Sequence, residues 1–121
     1  MANRLQHALW REAISIVEHG IADAATVDEA IKNSIGIRLA VLGPVENADM
    51  VGLDLTLAIH NTVLKDLEGS PNPSPLLQEK VKKGDLGFKS GKGFYDKWTQ
   101  EDITRVRGNL LKYLIDYSQK K

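Results

Sequence analysis

The spacing of apolar residues limits the fold of this 121-residue chain more than any other feature. These residues recur with a helical period in segments that glycine and proline separate. From about Asn3 to His19, apolar side chains recur with a 3.6-residue period, and Gly20 follows as a helix-ending glycine. No segment alternates apolar and polar residues as a half-buried strand does. The sequence therefore predicts helices and no sheet.

Two further helices are predicted in the first half of the chain. Thr26 and Glu29 have the spacing of a capping box, which predicts a short helix that stops at Gly36. Pro44 suits the first turn of the next helix. Because the residues that follow are apolar nearly all round, we expect a central, buried helix that continues to Gly69.

The second half of the chain predicts a connector and two more helices. Three prolines between Ser70 and Pro75 exclude a helix there. A helix is predicted from about Pro75 to Lys83, and the last helix begins at Thr99. The apolar stripe of the last helix consists of Ile103, Val106, Leu110, Tyr113, Leu114 and Tyr117. The prediction is an all-α bundle of about five to six helices.

Composition excludes several classes of function. Sixteen basic and sixteen acidic residues cancel, so a nucleic-acid partner has no electrostatic support. The absence of cysteine excludes disulfides and thiol catalysis and favours an intracellular protein. No apolar run approaches the roughly 20 residues of a membrane span. We therefore expect a cytoplasmic protein with no membrane partner.

The histidines and carboxylates form no self-contained catalytic site in the sequence. His7, His19 and His60 lack the spacing of a metal-binding pair, so no metal site is predicted. His7 is expected on the surface, and His60 is expected to satisfy a polar contact within its apolar helix. Asp49 and Asp54 are five residues apart and point to different helix faces, so they do not form a catalytic dyad.

The glycine-rich segment Gly84–Tyr95 leaves two interpretations open. Its four glycines and two lysines could present N–H groups and charge to a phosphate. Its spacing, however, matches neither the P-loop nor the dinucleotide fingerprint. The favoured alternative is a tight surface turn with positive-φ glycines, held on the core by Phe88, Phe94 and Tyr95. Ser90 has no histidine nearby in the sequence, so no nucleophile is predicted.

Several short motifs occur in a characteristic order along the chain. They are Asn3-Arg4-Leu5, Gly43-Pro44, Ala48-Asp49, Val51-Gly52-Leu53-Asp54, Pro73-Ser74-Pro75 and Lys89-Ser90-Gly91-Lys92-Gly93-Phe94-Tyr95. Together they resemble the C-terminal domain of NAD-dependent 3-hydroxyacyl-CoA dehydrogenases, of the 3-hydroxybutyryl-CoA type. The resemblance implies one domain over residues 1–121, with residues 97–121 as its helical extension. It also implies a helical bundle like the 6-phosphogluconate-dehydrogenase C-terminal domain, and a homodimer.

The resemblance implies that the intact protein is an oxidoreductase of fatty acid metabolism and beta-oxidation. Its reaction would transfer a hydride between NAD and the 3-hydroxyl carbon of a 3-hydroxyacyl-CoA. In that family an N-terminal Rossmann domain binds NAD and supplies the catalytic histidine and glutamate, and this sequence does not contain it. The chain alone is therefore expected to bind no cofactor and to be inactive, serving as the cleft wall over the acyl-CoA and as the dimer interface.

The same resemblance assigns roles to four residues. Asn3 takes the place of an active-site asparagine, whose amide can orient an imidazole or donate to the substrate oxygen without titrating. The alternative is that Asn3 only caps the first helix. Leu42, Pro44 and Asn47 match the segment that lines the acyl side of the family's cleft, so they are predicted to bind substrate.

Two other functions remain open. The chain could be a stand-alone helical module that associates with itself and has no catalytic partner. It could also belong to a related dehydrogenase that acts on another 3-hydroxy acid, such as L-gulonate or carnitine. The segments Gly52-Leu53-Asp54 and Lys89–Tyr95 look more like the acyl-CoA branch.

Overall fold

The computed structural model describes residues Met1–Gln119, which form six α-helices and two short 3-10 helices. The α-helices are α1 (Ala2–Glu18), α2 (Ala24–Lys32), α3 (Pro44–Val51), α4 (Leu53–Val63), α5 (Pro75–Lys83) and α6 (Gln100–Gln119). Over the same residues, β-type pairing is limited to one isolated bridge between Gly87 and Lys92. The prediction of an all-α protein is confirmed.

The chain divides into two compact units, Met1–Leu76 and Leu77–Lys121. The first unit contains α1 to α4, and the second contains the glycine-rich segment and α6. Helix α5 begins at the boundary and has the predicted bounds. No helix in the described part of the chain is both long and apolar enough to span a bilayer.

Helix α1 begins and ends close to its predicted bounds. Gly20 has a φ of 69° and follows the last helical turn. Its N–H donates to the Val17 carbonyl at 3.1 Å, and the Ile21 N–H donates to the Ile16 carbonyl at 3.0 Å. These two hydrogen bonds form a Schellman motif, which satisfies carbonyls that the helix end leaves open.

Carboxylates on α1 hold the connector that precedes α5. The backbone N–H of Glu68 donates to Glu12 Oε2 at 3.0 Å, and that of Leu76 donates to Glu18 Oε1 at 3.3 Å. The Ser15 hydroxyl also donates to Glu68 at 3.3 Å. Because the connector has no helical hydrogen bonds of its own, these contacts fix its path within the first unit.

The prediction that Thr26 caps α2 is wrong. The helix begins at Ala24 because Asp23 is its cap, with Oδ1 accepting the Thr26 backbone N–H at 2.8 Å. Hydrogen bonds from the Thr26 side chain and backbone lower the pKa of Asp23. The helix also ends at Lys32, earlier than the predicted end at Gly36. After Lys32, the Asn33 side chain donates to the Glu29 carbonyl of the last turn.

The prediction of one continuous helix from Pro44 towards Gly69 is also wrong. Gly52 has a φ of 107°, which no α-helix contains, so the segment divides into α3 and α4 at this residue. The Gly52 carbonyl accepts the Thr56 backbone N–H at 3.0 Å and thereby starts α4. A 3-10 helix then ends at Asp66. The chain turns at Gly52 instead of continuing straight.

Helix α4 is exposed, contrary to the prediction that it is buried. Leu53 and Leu57 are each 63% exposed, and Leu55 is 50% exposed. Among the described residues, the buried apolar side chains are Val27 and Ile103. The apolar residues of α4 therefore form surface, and exposed apolar surface of this kind marks interaction sites.

Helix α6 begins at Gln100, immediately after the predicted residue Thr99. The Thr99 hydroxyl accepts the Asp102 N–H at 3.1 Å, and Asp102 Oδ2 accepts the Thr99 N–H at 3.2 Å. Ile103 is buried and Val106 is half-buried. The rest of the predicted apolar stripe is exposed, namely Leu110, Tyr113, Leu114 and Tyr117. The stripe therefore has an inner part that packs and an outer part that remains surface.

Candidate functional site

An open cleft between α3 and α4 brings together two of the predicted substrate-binding residues. Its volume is about 270 Å³. It is lined by Pro44, Asn47, Ala48, Val51, Thr56, Ile59 and His60. Leu42 precedes α3 and does not line the cleft. Pro44 and Asn47 therefore share a site, while the predicted role of Leu42 stays a prediction.

Backbone contacts at both ends of α3 shape this cleft. At the start of α3, Glu46 Oε1 accepts the Gly43 N–H at 2.8 Å, which fixes the first turn around Pro44. At its end, Gly52 turns the chain into α4. The Thr56 hydroxyl donates to the Gly52 carbonyl at 2.9 Å. The two helices thus meet at a defined corner, and side chains from both line the cleft.

Asn47 and His60 carry the cleft's unused hydrogen-bonding groups. Neither side chain has a hydrogen bond or ion pair with any residue from Met1 to Gln119. His60 is exposed, so the expectation that it satisfies a polar contact within its helix is wrong. Apart from the Thr56 hydroxyl, the rest of the lining is apolar. Such a cleft can bind a small molecule that combines an apolar body with a polar group.

Asn3 lies in the first turn of α1 and is exposed. The cap of α1 is Met1, whose carbonyl accepts the backbone N–H groups of Arg4 and Leu5. The alternative in which Asn3 caps the helix is therefore wrong, because the helix begins before it. Asn3 does not line the cleft between α3 and α4. Its active-site role stays a prediction.

The glycine-rich segment pairs most of its glycine amides within itself, while the Lys89 and Lys92 side chains are exposed. The N–H of Gly87 donates to the Lys92 carbonyl at 2.8 Å, and that of Gly93 donates to the Tyr95 carbonyl at 3.0 Å. The Ser90 hydroxyl accepts the Leu86 N–H at 2.7 Å and lies 2.9 Å from the Lys92 carbonyl. Since these donors are already paired, the segment is a poor phosphate cradle.

Positive backbone φ angles support the turn interpretation of the same segment. Gly84, Gly87 and Gly91 have φ values of 82°, 88° and 81°. These angles are open to glycine and strained for other residues. The segment is therefore a turn that needs its glycines for the backbone path.

Trp98 anchors the glycine-rich segment and was not predicted. Its ring centroid lies 4.8 Å from that of Phe88 and 4.8 Å from that of Tyr95, and its backbone N–H donates to the Gly91 carbonyl at 2.8 Å. The Arg107 guanidinium lies 5.4 Å from the centroid of the Phe88 ring. In the sequence, the contacts of Trp98 are indicated only by its position three residues after Tyr95.

The described part of the chain contains no group of side chains that could bind a metal ion. No three His, Asp or Glu side chains between residues 1 and 119 lie close enough together to hold an ion. His7 packs edge-on against Trp10, with ring centroids 5.1 Å apart, on the exposed side of α1. His7 therefore lies on the surface, as predicted.

Comparison with known families identifies the class to which this helical domain belongs. Residues 1–97 match the family described as 3-hydroxyacyl-CoA dehydrogenase, C-terminal domain. The chain belongs to this family, and the resemblance seen in its motifs is confirmed.

Several dehydrogenases are similar to this chain. A 5-formyl-3-hydroxy-2-methylpyridine 4-carboxylate 5-dehydrogenase from Mesorhizobium japonicum is 36% identical over 113 residues, which are 93% of this chain and 36% of the relative. A probable 3-hydroxybutyryl-CoA dehydrogenase from Bacillus subtilis is 40% identical over 97 residues, 79% of this chain and 33% of the relative. The chain thus spans about a third of the length of these relatives.

A crystal structure shares this fold closely. It is that of a 5-formyl-3-hydroxy-2-methylpyridine 4-carboxylic acid 5-dehydrogenase, described as an NAD+ dependent dismutase. The TM-score is 0.91 at 30% identity, over 98% of this chain and 38% of the other. This similarity includes α6, which lies beyond the family match over residues 1–97.

Proposed function

We propose that this chain completes the substrate cleft of an NAD-linked dehydrogenase and provides its association surface. The exposed apolar surface of α4 carries the proposal. Leu53 and Leu57, four residues apart, share one face of this helix, Leu55 lies on another face, and each is at least half exposed. A domain of this size normally buries such residues. Their exposure is accounted for if another domain or a second copy covers them.

The proposed reaction is hydride transfer between NAD and the 3-hydroxyl carbon of a 3-hydroxyacyl-CoA. This assignment is supported by the family match and by the name of the Bacillus relative. Pro44 and Asn47 would contact the substrate from the cleft between α3 and α4, and Leu42 would lie beside them. Asn3 would orient the catalytic imidazole or donate to the substrate oxygen.

We expect NAD to bind outside this chain. The dinucleotide fingerprint requires free backbone N–H groups at a helix start. The glycine-rich segment instead pairs the amides of Gly87, Ser90, Gly91 and Gly93 with its own carbonyls. NAD would therefore bind to the N-terminal part of the intact dehydrogenase, and the chain's own residues would position substrate.

A second substrate class is favoured by the extent of the similarity. The alignment with the Mesorhizobium relative covers 113 of 121 residues, so it must extend at least to residue 113 of α6. The alignment with the Bacillus relative covers 97 residues. A pyridine carboxylate is therefore the alternative substrate to an acyl-CoA.

A fusion protein can distinguish the two substrates. It joins the N-terminal part of the Mesorhizobium relative to this chain (hereafter, the fusion protein). We expect NAD-dependent turnover of either 3-hydroxybutyryl-CoA or 5-formyl-3-hydroxy-2-methylpyridine 4-carboxylate, measured as absorbance of NADH. The substrate with the higher kcat/KM identifies the class. Turnover of neither would contradict the proposal.

The association surface has its own test. Sedimentation equilibrium of the purified chain should show a dimer or larger species at micromolar concentration, because the exposed apolar surface of α4 favours association. A monodisperse monomer would contradict this part of the proposal. Calorimetry should detect no NAD binding to the chain alone, and a micromolar dissociation constant would contradict the placement of NAD.

Asn3 is tested in the fusion protein. Asn3→Ala should lower kcat by roughly 10²-fold, the usual cost of removing a hydrogen-bond donor from developing charge. Thermal unfolding should hardly change, because the side chain is exposed and is not the helix cap. Asn33→Ala, which removes an exposed asparagine at the C-terminal cap of α2, is the control and should leave kcat unchanged.

A further inference from the structure

The cleft between α3 and α4 contains two polar side chains whose hydrogen-bonding groups are unused. Asn47 contributes an amide from α3, and His60 contributes an imidazole from α4. The third polar group, the Thr56 hydroxyl, already donates to the Gly52 carbonyl at 2.9 Å. Because Asn47 and His60 lie on the two helices that form the cleft, a small ligand between the helices would meet both.

The lining of the cleft contains hydrogen-bond donors and no carboxylate. The amide of Asn47 and the imidazole of His60 both carry N–H groups, which suit a carboxylate oxygen. The carboxylates nearest in the sequence, those of Glu46, Asp49 and Asp54, lie outside the lining. An anionic group in the cleft therefore meets donors and no carboxylate of the lining.

The cleft is small and open. Its volume of about 270 Å³ is slightly below the roughly 300 Å³ at which small-molecule pockets start. It therefore suits one compact group of a ligand, such as a substituted aromatic ring. The apolar lining residues Pro44, Val51 and Ile59 suit the faces of such a ring.

We propose that the cleft between α3 and α4 binds the carboxylate-bearing part of a compact substrate, and that Asn47 and His60 determine this specificity. The proposal rests on the function proposed above and deepens it. Asn47 donates a hydrogen bond from its amide, and His60 donates one from its ring to the carboxylate oxygens. His60 is thus a specificity residue of the substrate cleft, contributed by α4.

Binding of a carboxylate probe to the chain itself gives the first test. Pyridine-4-carboxylate is titrated into the ¹⁵N-labelled full chain, with neutral pyridine-4-carboxamide as the matched ligand. We expect the carboxylate to shift the amide resonances of α3 and of the first turns of α4, and to bind about tenfold more tightly than the carboxamide. Equal shifts with both probes, or none at millimolar concentration, would overturn the proposal.

Variants of His60 identify the residue responsible. His60→Leu should weaken carboxylate binding about tenfold, and His60→Gln, which keeps a donor, should retain more of it. Asn61→Leu is the control, because Asn61 is an exposed neighbour on α4 that does not line the cleft. Its spectrum should respond to the probe as the original chain does. Equal weakening in His60→Leu and Asn61→Leu would count against a specific role for His60.

Kinetics of the fusion protein separate this proposal from the function on which it rests. His60→Leu should raise the KM for the pyridine carboxylate about tenfold and leave kcat nearly unchanged. An unchanged KM in an active fusion protein would reject the cleft proposal and leave the dehydrogenase function standing. Probe binding by the chain without any turnover by the fusion protein would support the cleft proposal and contradict the dehydrogenase function.

Discussion

The corner at Gly52 and the segment Gly84–Tyr95 both depend on glycines with positive φ, yet they differ in what they leave available to a ligand. The corner places Asn47 and His60 in an open cleft with their polar groups unpaired. The segment pairs the amides of Gly87, Gly91 and Gly93 with its own carbonyls, and the rings of Phe88 and Tyr95 pack on Trp98. Unpaired donors inside a cleft, and not glycine content, therefore indicate where this chain can bind.

The largest expected effect concerns the aromatic anchor of the glycine-rich segment. Trp98→Ala should lower the free energy of unfolding by about 2–3 kcal/mol, below the full cost for a buried tryptophan because Trp98 is half-buried. The physical cause is the loss of its contacts with Phe88 and Tyr95. Urea denaturation followed by circular dichroism measures the change.

Trp10→Ala is the matched control for this prediction. Trp10 is 48% exposed on α1, so its removal should change the free energy of unfolding by only about 0.5 kcal/mol. Equal effects of the two substitutions would mean that the aromatic contacts of the glycine-rich segment do not stabilise it.

The next effect concerns the corner that forms the cleft. Gly52→Ala should lower the free energy of unfolding by about 1–3 kcal/mol, because alanine is strained at a φ of 107°. The added Cβ would also lie 2.9 Å from Asp54 Oδ1, but this flexible side chain can move. Thermal or urea unfolding measures the loss, and weaker binding of pyridine-4-carboxylate should accompany it.

Gly108→Ala provides the opposite expectation. Nothing lies within 4 Å of a Cβ built at Gly108, which is inside α6 and has no positive φ. No close contact therefore requires glycine at this position, and the helix only tolerates it. Alanine should raise the free energy of unfolding by about 1 kcal/mol. If both Gly52→Ala and Gly108→Ala stabilised the protein, the result would contradict the positive φ at Gly52.

A smaller effect is expected in how the stability of the second unit depends on pH. Hydrogen bonds from the Thr99 backbone and side chain lower the pKa of Asp102. A lowered pKa in the folded state means that the contribution to stability is complete above the unfolded value of about 3.9 and is lost as the pH falls through the folded value. The urea midpoint should therefore fall with pH between about 5 and 3. Asp102→Asn should reduce this slope, and an unchanged slope would contradict the role of the cap.

The smallest expected effect is the response of the glycine-rich segment to phosphate. Because the amides of Gly87, Ser90, Gly91 and Gly93 are paired internally, 10 mM inorganic phosphate should leave their ¹⁵N resonances nearly unchanged. Saturable shifts at these residues would restore the phosphate interpretation. They would also contradict the difference between the two glycine-dependent regions.

The sequence predicts those parts of the fold that local signals determine. The bounds of α1 and α5 and the start of α6 follow from Gly20, from the prolines up to Pro75 and from the Thr99 cap. The predicted start of α2 is three residues too late, because Asp23 and not Thr26 is the cap. Neighbouring capping residues have similar energies, so the sequence alone does not choose between them.

The break at Gly52 and the exposure of α4 could not be predicted from local patterns. A glycine within an apolar helix costs only about 1 kcal/mol, so the pattern did not indicate a positive φ. A sequence pattern does not distinguish an apolar side chain that is buried in the core of its own domain from one that a partner covers. The cleft depends on that break, since the turn brings His60 of α4 to the same cleft as Pro44 and Asn47.

The most direct test of the proposed function compares the fusion protein with its N-terminal part alone, under the same NAD concentration and with both candidate substrates. If this chain supplies the substrate cleft, the fusion protein turns over substrate and the N-terminal part alone does not. The same kcat/KM with and without this chain would contradict the account.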